Sequence, residues 1–190
     1  MSLVADWSVR AEPIALSMLS QITNTNAVYI RQMYRAGDLG PAPDVAADVA
    51  QIPLYHAVAF FLIQEASKAG VPLQSVLEVL PTIAGAAYVK FLLMEIRAGH
   101  CVQRGGTPSL NSQLWALLHG PEADKDLEQK LPGGATETHR FACFTRSGTV
   151  LCDDLAELNT GEETVVIDAW TIPKLMKKSI PGTFLHTHIA

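Results

Sequence analysis

Charge is scarce in this 190-residue chain: Asp, Glu, Lys and Arg make up only 17% of it, against roughly 25% in an ordinary soluble domain. With 48% hydrophobic residues, the composition excludes a disordered tail, whose polarity prevents it from burying a core. Basic residues are the scarcer sign, 14 against 19 acidic, for a net charge of -5. The longest basic run is Lys177-Lys178, with Lys174 one turn earlier. Sequence-independent nucleic-acid binding needs clustered cations that displace counterions from phosphates, so no nucleic-acid partner is expected. Cysteine is confined to Cys101, Cys143 and Cys152, with no C-x-x-C. That excludes a disulfide-stapled mini-protein, a zinc knuckle and a thioredoxin-type motif.

Long apolar runs are missing as well. Leu54 to Ile63 is the longest, ten positions interrupted only by His56, about half of the roughly 20 that a bilayer span requires. Met1 to Arg10 lack the basic start and apolar stretch of a signal peptide. The chain is therefore expected to be soluble and cytoplasmic, with no membrane partner. No G-x-G-x-x-G follows a strand pattern, no Ser sits in a G-x-S-x-G elbow, and Gly133-Gly134 lacks the Lys and Ser/Thr of a phosphate loop.

Helical periodicity fills the first two-thirds. From Val9 to Arg35 apolar residues recur at three- and four-residue steps, with a break expected at Asn24-Thr25-Asn26. After a loop from Gly37 to Pro43, a helix capped by Asp44 is expected to run to Ala69 and stop at Gly70, kinked or divided at Pro53. A short helix from Pro72 to before Pro81, another from Ile83 to Arg97 and a third from Ser109 to His119 follow. Beyond Leu131-Pro132-Gly133-Gly134, β-formers dominate. The fold class is α+β: five to six helices, then a small antiparallel β-containing part. The domains expected are a helical one over 1–120, a linker over 121–135 and a β-rich appendage over 136–190.

In that appendage, Arg140–Thr145 and Thr149–Cys152 read as a hairpin with a two-residue turn at Ser147-Gly148. This register sets Cys143 opposite Cys152 on a non-hydrogen-bonded rung, where a disulfide would fit; a reducing compartment favours two free thiols. Ala66, Gly70 and Val76 have the spacing of a helix-turn-helix, but the second helix, Gln74–Leu80, offers no Arg or Lys and carries Glu78. Plain packing is the expectation there.

The run Glu65-Ala66-Ser67-Lys68-Ala69-Gly70-Val71-Pro72 through Leu80, with Leu54-Tyr55 before it and Ile96-Arg97-Ala98-Gly99 after it, resembles the helical dimerisation domain of imine reductases and β-hydroxyacid dehydrogenases. The resemblance covers about residues 54–119. It implies a helical, dimeric module; the NADPH-binding Rossmann domain of those enzymes has no counterpart here, so the chain would at most be the helical fragment of a reductase. Separately, His186-Thr187-His188 places two histidines on one strand face, and Glu137 lies 49 residues upstream. That order is similar to the JAMM metalloproteases and implies zinc held by His186 and His188, with Glu137 activating water. The third ligand of that family has no position after His188.

The reading favoured is a non-catalytic helical module, without cofactor, that self-associates and binds a small molecule or partner protein. Its interface candidates are Leu54, His56, Phe60, Phe61 and Ile63, because that helix is apolar all round. The alternatives are the metal-dependent hydrolase and the reductase fragment.

Overall fold

Pro53 does not kink a helix; it begins one. In the computed structural model of the chain, which describes residues 7–40, 49–104, 107–128, 138–158, 161–179 and 185–189, the long helix expected from Asp44 is shorter. A two-residue strand β3 (Gln51–Ile52) leads into Pro53 at the N-cap of α3 (Leu54–Lys68). Proline lacks an N–H, so it is tolerated where helical donors have no partner. At the other end Gly70, with φ +80°, supplies the left-handed stop.

Pro81 gave the opposite outcome. The sequence divides residues 72–97 there, yet α4 (Leu73–Arg97) runs through it as one helix of 25 residues. An interior proline costs about 3 kcal/mol. Burial of a Val, Leu or Ile side chain returns roughly 1.5–3 kcal/mol each, and Val76, Leu80 and Ile83 are all buried around it. Packing against α3 therefore outweighs the local penalty. By length and composition the continuous α4 is also apolar enough to cross a membrane, but 67% of its most apolar window is buried inside the chain's own core.

Before these come β1 (Trp7–Ala11), β2 (Ile14–Ala15), α1 (Leu16–Thr23) and α2 (Ala27–Ala36). The expected break at residues 24–26 is present, whereas residues 9–15 are extended rather than helical. After α4 follow β4 (Cys101–Arg104), α5 (Pro108–His119) and α6 (Ala123–Glu128). The C-terminal third contributes β5 (Phe141–Phe144), β6 (Thr149–Cys152), β7 (Val165–Asp168), α7 (Ile172–Ser179) and β8 (Leu185–Ile189). The class is α+β, with six helices between Leu16 and Glu128 among the described residues.

The β-rich part shares the core of the helices. β6–β5–β7 form an antiparallel sheet, and its inner residues Ala142, Phe144 and Ile167 belong to the same buried cluster as Phe60 and Leu80. Ile172 and Met176 of α7 join that cluster. Residues 121–135, expected as a linker, contain α6, whose Ala123 and Leu127 are buried in it too. The proposed boundary thus does not separate two cores. β8 leaves the C-terminal sheet altogether: it pairs antiparallel with β1 and parallel with β4.

The hairpin register differs by two residues from the expectation. The turn spans Thr145 to Gly148, closed by Thr145 N–H donating to Gly148 O at 2.9 Å, so Cys143 pairs with Val150 and Cys152 with Phe141. A two-residue shift preserves the face. The two free cysteines are diagonal neighbours, not opposites, and pack with Phe141 against Leu158. Burial first, then the neighbouring Cys152, pushes the Cys143 thiol up to about 11. Burial alone pushes Tyr88 up to about 12. Both groups are held neutral in the native state, while the unfolded chain ionises first as pH rises. Their stabilisation is complete below the ordinary pKa values of 9.0 and 10.0 and is lost between there and the raised values. Urea midpoints are therefore expected to fall from pH 9 upward, and a Cys143→Ala variant should show a flatter decline up to pH 11. An equally steep decline in that variant would contradict this assignment.

Candidate functional site

The five interface candidates lie inside the molecule. Leu54, His56, Phe60, Phe61 and Ile63 are all buried against other elements of the same chain, so in this conformation none is presented to a second copy. His56 sits edge-on to the rings of Tyr34 and Tyr55, at 4.9 and 5.6 Å between centroids. The apolar-all-round helix is the centre of the core, which is the other meaning of that pattern.

The H-x-H pair does fall on a strand. Within β8, His186 is the register partner of Arg10 and Val102, and His188 of Ser8 and Arg104. Glu137 lies outside the described residues. Among the described residues no cluster of three or more metal-ligating side chains occurs.

A different surface is assembled near the N-terminus. α1 and α2 are two short helices joined by three residues, the proportions of a helix-turn-helix. Leu16 and Leu19 bury the inner side of α1. Its C-terminus is stopped by Asn24, which adopts the left-handed conformation at φ 50°; asparagine is the non-glycine residue best suited to it. The Thr25 N–H donates to Ser20 O at 3.0 Å, and Ser20 Oγ donates back to Thr25 O at 2.6 Å. Asn26 then caps α2, its Oδ1 accepting from the Val28 N–H at 2.8 Å. The polar cluster that reads as a simple break is thus a fully bonded turn, fixing the direction of α2.

α2 divides cleanly into two faces. At about 100° per residue, Met33, Ile30 and Tyr34 fall on one side, and all three are buried. Arg31, Arg35, Val28, Gln32, Ala36 and Tyr29 follow one another around the other side. Val28 is 53% exposed and Tyr29 40%; Gln32 and Arg35 are exposed and Arg31 partly so. Neither arginine makes an ion pair with a described residue. Between Ile14 and Ala36 the chain has no Asp or Glu at all, so the unit carries two positive charges within a molecule of net charge -5.

The base of this unit is anchored. β2 pairs with β3 through Ile14↔Ile52 and Ala15↔Gln51, and Leu16 N–H donates to Ala50 O at 2.9 Å. The strands before α1 and before α3 therefore hold the helix pair on the core. Gly40, at φ +123°, lies so close to Tyr55 that an added Cβ would approach Cε1 at 2.9 Å, which seats the end of the α2 loop directly on α3. The sequence signal for this unit was available: Asn caps, an amphipathic α2 and local absence of carboxylates. A charge balance taken over the whole chain dilutes it, and the helix-turn-helix spacing at Ala66, Gly70 and Val76 belongs to α3 and α4, which pack together as core helices.

No protein-family model, curated protein or solved structure matches this chain.

Proposed function

We propose that the chain is a DNA-binding module that places α2 in the major groove of duplex DNA. The observation that carries this reading is the outward face of α2. It combines Arg31 and Arg35 with Gln32, Val28 and Tyr29, on a helix pair free of carboxylates. In a helix-turn-helix the second helix enters the groove and its N-terminal residues meet base edges. The side-chain types suit that chemistry. Arginine bonds guanine O6 and N7 or a phosphate, glutamine bonds adenine N6 and N7, and Val28 is suited to apolar contact with a thymine methyl group. The acidic balance of the whole chain argues against unselective binding but not against this local surface, because screening confines charge effects to about 10 Å. This reading departs from the small-molecule or protein partner, and from the absence of a nucleic-acid partner, expected from the sequence.

Fluorescence anisotropy at about 0.1 M salt, with a labelled duplex enriched by the wild-type chain from a random-sequence pool, tests the reading. The wild-type chain is expected to bind, and Arg31→Gln/Arg35→Gln to lose about tenfold per arginine. If both arginines contact phosphates, the salt slope should fall by about 2. Equal affinity in the double variant, or no binding by the wild type, would refute the reading. Circular dichroism of the variant separates either outcome from misfolding, since both arginines lie on the outer side of α2.

A further inference from the structure

Pro81 has an effect on α4 besides its local cost. Proline has no N–H, so the donor that would reach the carbonyl of Leu77, four positions earlier, is missing from the helix. A cavity of about 230 Å³ opens at this point, with Leu77, Leu80 and Pro81 as one wall. The carbonyl deprived of its donor therefore lies between two of the residues that line it. The facing walls are Tyr55 of α3 and the segment from Gly37 to Gly40 that follows α2. A cavity of about 150 Å³ is enough for benzene, so this one has room for a single ring bearing a short chain.

Donors on these walls are already used. The Gly37 N–H donates to Tyr34 O at 3.3 Å, the Asp38 N–H to Met33 O at 3.0 Å and the Gly40 N–H to Gly37 O at 3.1 Å. The Tyr55 hydroxyl makes a long hydrogen bond to Pro81 O at 3.4 Å, and burial raises the phenol above its ordinary value, which keeps that proton in place. The acceptors are in the opposite condition. Leu77 O has lost its helical donor, and the Asp38 carboxylate makes no ion pair with a described residue. Asp38 is also the one charged residue in the described lining. It is exposed, whereas Leu39 and Leu80 are only 1% and 2% exposed. The negative charge thus stands at the mouth and the floor is apolar.

We propose that this cavity binds a small primary aralkylamine, its ammonium group donating to the Asp38 carboxylate and the Leu77 carbonyl and its ring resting on Leu39, Tyr55 and Leu80. An ammonium group brings three donors and no acceptor, which complements a wall whose open groups are acceptors. Its bond to an ionised carboxylate is of the stronger, charge-assisted kind. An anion would meet Asp38 as a like charge. The inference is independent of the DNA-binding reading: its residues share none with α1 or α2.

Titration followed by NMR tests it, with phenethylamine as the probe and toluene, which has a ring but no donor, as its comparison. The wild-type chain is expected to bind phenethylamine saturably and more tightly than toluene. Asp38→Asn should weaken the amine about fivefold, the scale of a solvent-exposed charge pair, and leave toluene unchanged. Glu163→Gln, an equal change of charge just before β7, should alter neither. Pro81→Ala returns an N–H to α4 and gives the Leu77 carbonyl its helical partner, so it should also weaken the amine about fivefold and spare toluene. Alanine is the strongest helix former, so this variant is expected to fold at least as well as the wild type. Absence of saturable amine binding by the folded wild type would overturn the inference. So would equal weakening in Asp38→Asn and Glu163→Gln, or a Pro81→Ala variant that binds the amine unchanged or loses amine and toluene alike.

Discussion

Lys177→Met is expected to destabilise the protein by about 3 kcal/mol, near the low end of what breaking a buried ion pair costs. Glu95 stands in α4 with 0% of its side chain exposed, and Lys177 Nζ of α7 reaches its Oε1 at 2.5 Å. His100 Nδ1 approaches the other oxygen at 3.1 Å. Without the lysine the carboxylate stays buried against His100 alone, which bridges from just beyond the end of α4. The lysine side chain remains 34% exposed, which keeps the figure at the low end. Replacing both partners, Glu95→Met/Lys177→Met, should return most of the loss, because the desolvated charge is then absent. Urea unfolding of the two single variants and the double gives the coupling directly. Additive losses would show that the pair contributes nothing specific. A large favourable coupling would identify Glu95 as the tie between α4 and the C-terminal helix.

Phe60→Ala is expected to cost more, about 3–5 kcal/mol, since Phe60 is completely buried at the centre of α3. The measurement also separates the two meanings of the apolar segment from Leu54 to Ile63. If the segment is core, the unfolding midpoint falls by the same amount at every protein concentration. If it is a subunit contact, the variant instead dissociates, and the wild-type midpoint rises with concentration. Sedimentation of both proteins alongside the urea titration reads the two cases. The burial of all five residues predicts the first.

Much of the helical part was legible because its signals are local. The Asn24–Asn26 break, the Gly70 stop and the helix after Thr107 all rest on side chains acting within a few residues of themselves. Three features were not legible, for physical reasons. Pro81 continues a helix because long-range burial against α3 outweighs its local cost. The hairpin took a four-residue turn, and face alternation cannot distinguish registers that differ by two. The partners of β8 lie at Trp7–Ala11 and Cys101–Arg104, and no periodicity within a strand specifies which distant segment completes its ladder. The amphipathic pattern of α2 is local by contrast, since its two faces are set within ten residues.

The pairing of Trp7–Ala11 with Leu185–Ile189 has a consequence for synthesis in the cell. β1 bonds to a strand that lies 174 residues further along the chain, from Ala11 to Leu185, so it waits on the order of ten seconds or more at typical elongation rates. Throughout that interval β1 is an unpaired edge, and β4 gains its partner only at the same final moment. Closing so long a loop is also slow once the residues exist. Aggregation during expression should therefore respond to removal of the Leu185–Ile189 strand, which pairs both β1 and β4. Ribosome-stalled chains ending before residue 185 should keep the α3–α4 core while leaving the Trp7–Ala11 backbone open to hydrogen exchange.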